Sequence, residues 1–251
     1  MSHSLELALL SCTLLGLRHG FDYDHLAAIT DITSTQLHWR NAMKLGLLYA
    51  LGHALTVAAL GSAVIFLHVG LPAHIDAVGE RLVGATLIVL AVYVLVSFLR
   101  RKPVDLHRHV PQSRIALLVS GARYANWRVR RIADPALVRP APFAFKYDRS
   151  SVFTVGIIHG LGAETPSQLM LFLLAANLGG TSRGFLGLAC FLLGLVAMNT
   201  LMTASASGLF AGSQHRPRLQ TALTSLTAVY SFAIGVVFLI GASDRLPALV
   251  R

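Results

Sequence analysis

The sequence predicts an all-α membrane protein with about six transmembrane helices, arranged as two inverted three-helix repeats with a basic cytoplasmic loop between them. Two features of the composition indicate this class. Of the 251 residues, 55% are apolar and 13% are Asp, Glu, Lys or Arg, whereas soluble domains have about 45–50% and about 25%. The third observation is a set of long runs without those four charged residues, each near or above the roughly 20 residues that cross a bilayer. These runs are Leu45–Ile75, Leu82–Leu99, Thr165–Ser182, Gly184–Gln214 and Leu219–Ser243.

The apolar pattern places three spans in each half of the chain. The first half is residues 1–99, the loop is residues 100–150 and the second half is residues 151–251. Because each half has an odd number of spans, the two halves cross the membrane in opposite directions. The spans are predicted at Leu5–Thr30, Met43–Leu67, Leu82–Leu99, Val152–Leu178, Gly184–Phe210 and Leu219–Gly241.

The loop is the most basic part of the chain, with 12 of the 21 Lys and Arg residues between Arg100 and Arg149. Short loops rich in Lys and Arg stay on the cytoplasmic side of a membrane. We therefore expect a cytoplasmic loop, both termini outside, and a multi-pass protein of the plasma (inner) membrane. The same distribution argues against nucleic-acid binding. Within the loop, residues 113–132 fit either a helix lying on the anionic leaflet or a disordered linker.

Several common classes of protein are excluded by what the sequence contains. Cys12 and Cys190 both lie in apolar runs, so a disulfide framework is not expected. No lysine follows a glycine in a Walker-type phosphate loop, so we expect no coupling to ATP of that kind. The first apolar run has no Lys or Arg before it, which argues against a removable signal peptide.

The two halves share short motifs at equivalent places. His19-Gly20 opens the polar stretch of the first half, and His159-Gly160 opens that of the second. A Leu-Gly pair follows each of them, at Leu51-Gly52 and at Leu193-Gly194. Inverted repeats of this kind place a substrate site near the membrane midplane, between the halves.

A charged cluster in the middle of the first span is the main functional signal; its members are Arg18, His19, Asp22, Asp24 and His25. An Arg or Asp at the centre of a membrane helix costs about 2.5–3.5 kcal/mol, so such a cluster needs partners or a function. On a regular helix His19, Asp22 and His25 form one stripe. Asp24 would then point elsewhere, so either it orients other ligands or the helix unwinds at Gly20.

Further intramembrane ligands are expected in the second and fourth spans. His53 lies near the middle of the second, and His159 and Glu164 lie in the fourth. Imidazoles with carboxylates suit nickel, cobalt, zinc, copper or iron better than magnesium or calcium. A buried polar network and a proton relay remain as alternatives. The predicted metal ligands are His19, Asp22, Asp24, His25, His53, His159 and Glu164.

The stretch Arg18-His19-Gly20-Phe21-Asp22-Tyr23-Asp24-His25-Leu26 resembles the His-x4-Asp-His signature of the nickel/cobalt transporter family (NiCoT, within the wider NicO group). Leu51-Gly52-His53 resembles the second motif of that family. The resemblance implies that His19, Asp24 and His25 recognise the metal, with His53 as an accompanying histidine. It also implies secondary uptake of Ni²⁺ or Co²⁺ as substrate, with no cofactor and no enzyme activity.

Two other functions stay open at this point. Members of the wider group include exporters, so metal efflux is one alternative. An intramembrane metalloenzyme is another, since the same ligands activate water at a metal. The sequence lacks the His-Glu-x-x-His spacing of zinc hydrolases. The expected partners are the metal ion and the lipid bilayer, and the oligomeric state is undetermined.

Overall fold

The computed structural model describes residues 2–36, 38–67, 73–99, 127–128, 130–131, 149–162 and 180–247. Within these ranges the chain forms seven α-helices, a 3-10 helix at Ser243–Arg245 and no strand. The predicted all-α class is therefore confirmed. The helices are α1 (Ser2–Gly20), α2 (Tyr23–Ser34), α3 (Trp39–Leu67), α4 (Ala73–Leu99), α5 (Arg149–His159), α6 (Thr181–Ser213) and α7 (Pro217–Leu239).

Four helices of the described part are long and apolar enough to cross a membrane: α3, α6, α7 and the Ala77–Val96 portion of α4. Large apolar side chains face outward along these helices, as lipid requires; Leu193 and Leu67 are both 70% exposed. Both facts support a multi-pass membrane protein. Each of these helices matches a predicted span, but the ends differ by several residues. The largest difference is at α4, which begins nine residues before Leu82.

The other two predicted spans differ from a single continuous helix. The span at Leu5–Thr30 is divided into α1 and α2 by a turn at Phe21 and Asp22. The span at Val152–Leu178 begins as α5, which ends at His159. Residues 163–179, including Glu164, lie outside the described residues, as does most of the basic loop. In that loop, Trp127, Arg128, Arg130 and Arg131 are helical.

Glycines set the closest contacts between helices. Gly16 of α1 lies against the backbone of Phe191 and Leu195 in α6, and Gly20 lies against Leu195 and Met198. Later residues of α1 contact later residues of α6, so the two helices run parallel. Gly20 is thus about halfway along α6, so α1 ends in the middle of the bundle. Small residues permit this approach because they let backbones pack without side chains between them.

The helix α5 is placed in the same way against α3. Gly156 lies against the backbone of Tyr49 and His53, and Gly160 lies against His53 and Thr56. Thus α5 runs parallel to α3 and ends halfway along it.

The helices α3 and α6 are antiparallel. Gly46, early in α3, meets Thr203, late in α6, whereas Val64 packs in one cluster with Leu188 from the start of α6. The helix α5 is parallel to α3 and the helix α1 is parallel to α6. Because α3 and α6 are antiparallel, the half-helices α1 and α5 enter the bundle from opposite faces. Their carboxyl ends both lie in its middle.

Candidate metal centre

The site begins at the turn that ends α1. The backbone N–H of Phe21 donates to the carbonyl of Arg18 at 2.9 Å, and that of Asp22 donates to the carbonyl of His19 at 3.2 Å. Asp22 is extended (φ −73°, ψ 164°) and forms the N-cap of α2. The single-stripe interpretation of the sequence is therefore wrong, because no regular helix joins His19 to His25. The alternative of unwinding near Gly20 is confirmed.

Three histidines meet at this break: His19 from α1, His25 from α2 and His53 from α3. One nitrogen from each ring lies within 4.8 Å of the other two, and all three side chains are buried. The Nε2 atoms of His19 and His53 are 3.2 Å apart. Two ligand nitrogens about 2.0–2.1 Å from one ion are separated by about 2.8–3.4 Å in octahedral or tetrahedral geometry. The pair therefore has the spacing of two ligands on a single transition-metal ion.

Two carboxylates lie beside these rings on the side away from the shared centre. Asp22 Oδ2 is 3.2 Å from His19 Nδ1, and Asp24 Oδ1 accepts a hydrogen bond from His25 Nδ1 at 3.0 Å. A carboxylate at Nδ1 holds the proton there and leaves the Nε2 lone pair free to bind metal. In this arrangement Asp24 orients His25, and both acids supply negative charge close to the site.

His159 lies next to the cluster but is engaged differently. The hydroxyl of Thr86 donates to the carbonyl of Val83 at 2.8 Å, so its oxygen accepts from His159 Nε2 at 2.8 Å. His159 Nδ1 then accepts from the hydroxyl of Tyr49 at 3.0 Å. Each ring nitrogen of His159 is thus paired with a protein group, which leaves no lone pair for an ion. Its Nδ1 is 3.9 Å from Asp24 Oδ2.

The other polar residues of the predicted spans have different environments. Arg18 belongs to the charged cluster in the sequence, but its side chain is exposed on the outside of α1. Glu164 lies outside the described residues. Asn199 is fully buried in α6. Thr200 donates to the carbonyl of Val196 in its own helix at 2.7 Å.

Sequence reasoning missed Tyr49 and Thr86, which hold His159. Tyr49 lies four residues before His53 in α3, so a helical spacing from a recognised histidine could have identified it. Thr86 carries no such signal, because the sequence from Leu82 to Leu99 contains no charged residue and no histidine.

The charges and dipoles of the site favour a cation. The ends of α1 and α5 both lie mid-bundle, and helix carboxyl termini carry about half a negative charge. Within the described residues, Asp22 and Asp24 are the acids that touch the histidine cluster. Imidazoles bind metal in their neutral form, so three of them with two carboxylates beside them match the charge of a divalent ion.

Comparison with known proteins gives two curated relatives. The chain is 28% identical to the cobalt transport protein NhlF of Rhodococcus rhodochrous, covering 93% of this chain and 70% of that protein. It is 24% identical to the nickel transporter NixA of Staphylococcus aureus, covering 90% of this chain and 70% of that protein. The predicted resemblance to nickel/cobalt transporters is confirmed. Both relatives are transporters rather than enzymes, which also confirms the non-enzyme prediction. No family model and no solved structure matches the chain.

Proposed function

We propose that this protein is a secondary permease that moves Ni²⁺ or Co²⁺ into the cell through a mid-membrane site formed by His19, His25 and His53. The observation that carries the proposal is the meeting of these three buried histidines at the break between α1 and α2. Broken helices are common at the ion sites of secondary transporters, where their ends and side chains replace part of the hydration shell. The two transporter relatives support the same class of substrate.

The ligand set selects a transition metal over the common hard cations. Imidazole nitrogen binds Ni²⁺ and Co²⁺ well, whereas Mg²⁺ and Ca²⁺ prefer all-oxygen cages. We assign His19 and His53 as ligands through Nε2, because those atoms face each other at 3.2 Å. Asp24 orients His25 through its hydrogen bond, and Asp22 places negative charge beside His19. His159, from the second half of the chain, accepts a hydrogen bond from Tyr49.

The two halves are proposed to be inverted repeats. Gly16 packs on Phe191 and Leu195, and Gly156 makes the corresponding approach to Tyr49 and His53. The turn after His19 is also repeated: the N–H of Leu161 donates to the carbonyl of Ile158, and that of Gly162 donates to the carbonyl of His159. Both the contacts and the turns therefore occur at equivalent positions of the two halves. Rocking of one half against the other would open the site to each face in turn.

The proposed orientation places the basic loop in the cytoplasm. A divalent cation that moves inward gains about 4.6 kcal/mol per 100 mV of membrane potential. That energy is enough for accumulation of about a thousandfold without ATP. The direction of transport is thus proposed from the membrane potential and the expected topology.

Uptake of radiolabelled Ni²⁺ and Co²⁺ by cells that express the protein tests the proposal. The His53→Ala variant should lose accumulation, because it removes a ligand without removing a charge. His215→Ala is the matched control, since His215 is exposed in the turn before α7. Normal uptake in the His53→Ala variant would refute the site. Metal loading of inside-out vesicles, with none in right-side-out vesicles, would instead indicate efflux.

A further inference from the structure

Buried polar side chains are unevenly distributed about the histidine cluster. Beyond the cluster, they lie toward the face where α2 and α6 end and α7 begins, which we call the α2-end face. On α6 these residues are Asn199, Thr203 and Ser207, spaced by one helical turn. The polar residues on α2 and α7 are Asp31, Thr33, Ser34, Thr224 and Ser231.

On the opposite side of the cluster, the described residues between α3 and α6 pack as an apolar group. The buried residues between α3 and α6 there are Val57, Val64, Ile65, Leu188, Phe191 and Leu195. In the proposed repeat, Gly52 corresponds to Gly194, so Ile65 of α3 corresponds to Ser207 of α6. The same position is thus apolar in one half and polar in the other. Among the described residues of α3 and α6, one side of the cluster is therefore apolar and the other is polar.

Asp31 is the most unusual residue on the polar side. Its side chain is completely buried, and neither carboxylate oxygen has a hydrogen-bond partner in the described part of the chain. Ser231 of α7 lies next to it, but the serine hydroxyl donates to the carbonyl of Ala27 at 3.3 Å. A buried acid in a membrane protein is costly unless it binds a partner, so such a residue indicates a functional site.

Other groups on the same side are also unsatisfied. Both side-chain amide atoms of Asn199 and the hydroxyl oxygens of Ser207 and Thr224 lack hydrogen-bond partners among the residues that the structure describes. All three side chains are at least nine-tenths buried. Groups of this kind are satisfied by water or by an ion in passage. Their positions on α6 and α7 extend the polar side from the cluster toward the α2-end face.

We propose that Asp31 is a second binding station for the divalent cation, on a hydrophilic path between the three-histidine site and the α2-end face. This proposal rests on the proposed transport function and adds a residue and a route to it. Asp31 follows Asp24 by seven residues on α2, which places it about 10 Å along the helix axis on the same face. Oxygen ligands hold Ni²⁺ and Co²⁺ less strongly than imidazoles do. A station of this type lets the ion leave the histidines without returning to bulk water in one step.

The first test measures transport and binding separately in purified protein. In proteoliposomes loaded with a metal-sensitive dye, Asp31→Asn should lower the initial rate of Co²⁺ entry at least tenfold. The Kd and absorption spectrum of Co²⁺ bound at the three-histidine site should not change. Asp244→Asn is the matched control, since Asp244 is an exposed acid in the 3-10 helix. An unchanged rate in Asp31→Asn overturns the proposal, as does loss of the Co²⁺ spectrum in that variant.

The second test does not depend on substitution of Asp31. In a protein with Cys12→Ser and Cys190→Ser, the Ser207→Cys thiol should react with a water-soluble methanethiosulfonate reagent. The Ile65→Cys thiol, at the corresponding buried position of the other half, should react at least tenfold more slowly. Equal protection of both thiols contradicts the hydrophilic path. The proposed function fails on a different result, namely normal uptake in the His53→Ala variant, so the two failures are distinguishable.

Discussion

Asp24 provides the sharpest test of how the metal centre is built. Its carboxylate accepts a hydrogen bond from His25 Nδ1 at 3.0 Å and is almost fully buried. Asp24→Asn keeps the size of the side chain but removes the charge that holds the proton on Nδ1. Loss of such an orienting carboxylate lowers metal affinity by about 10–100-fold, which corresponds to about 1.4–2.8 kcal/mol of binding free energy. We expect that loss for Ni²⁺ in the Asp24→Asn variant.

The assay is a titration of purified protein with Ni²⁺ in competition with a chromophoric chelator. His25→Ala, measured alongside, should show no saturable binding at the same metal concentrations, because it removes a ligand rather than its support. An Asp24→Asn protein as defective as His25→Ala would show that Asp24 coordinates the ion directly. An affinity equal to that of the unmodified protein would show that the hydrogen bond does not orient His25. Either result refutes the reasoning.

Three further predictions follow from the packing around the site. Gly52→Ala places a methyl group against the carbonyl oxygen of Phe153; we expect a loss of about 1–3 kcal/mol in stability, read as a lower Tm in detergent. Gly208→Ala is its control, since no atom of another described residue lies within 4 Å of the added methyl group, and its Tm should not fall. His159→Ala should retain Ni²⁺ binding in the chelator assay, because both ring nitrogens already have protein partners; complete loss would make His159 a ligand. Tyr49→Phe removes one buried hydrogen bond and should lower the free energy of unfolding by about 1 kcal/mol, measured by denaturant titration.

Composition and residue type carried much of the prediction. The lack of charges over long runs requires helices in a bilayer, because lipid offers no hydrogen bonds to an open backbone. Histidines and acids within the predicted membrane spans indicate a metal-binding function, because they are too costly there without a role. The motif at 18–26 and the Leu-Gly-His at 51–53 led to the same family that the relatives NhlF and NixA represent.

The arrangement of ligands was beyond the reach of the sequence. On a regular helix Asp24 would point away from His19. The same geometry would place Asp22 on one face with His19 and His25, as a further metal ligand. The turn at Phe21 and Asp22 changes that geometry, because two backbone hydrogen bonds end α1 and let α2 begin with a new direction. Whether a Gly-Phe-Asp sequence breaks a helix depends on what it packs against.

The sequence by itself determined the membrane-spanning helical class, the clustering of histidines and acids in the first half, and the resemblance to nickel/cobalt transporters. These depend on residue type and short spacing, which need no knowledge of long-range contacts. Only the tertiary structure decided that His53 joins His19 and His25, while His159 is bound by Tyr49 and Thr86. It also decided that Asp31 lies buried on a polar side of the cluster. The physical reason is that α1 and α5 stop halfway along their partner helices, and glycine contacts distant in sequence set where they stop.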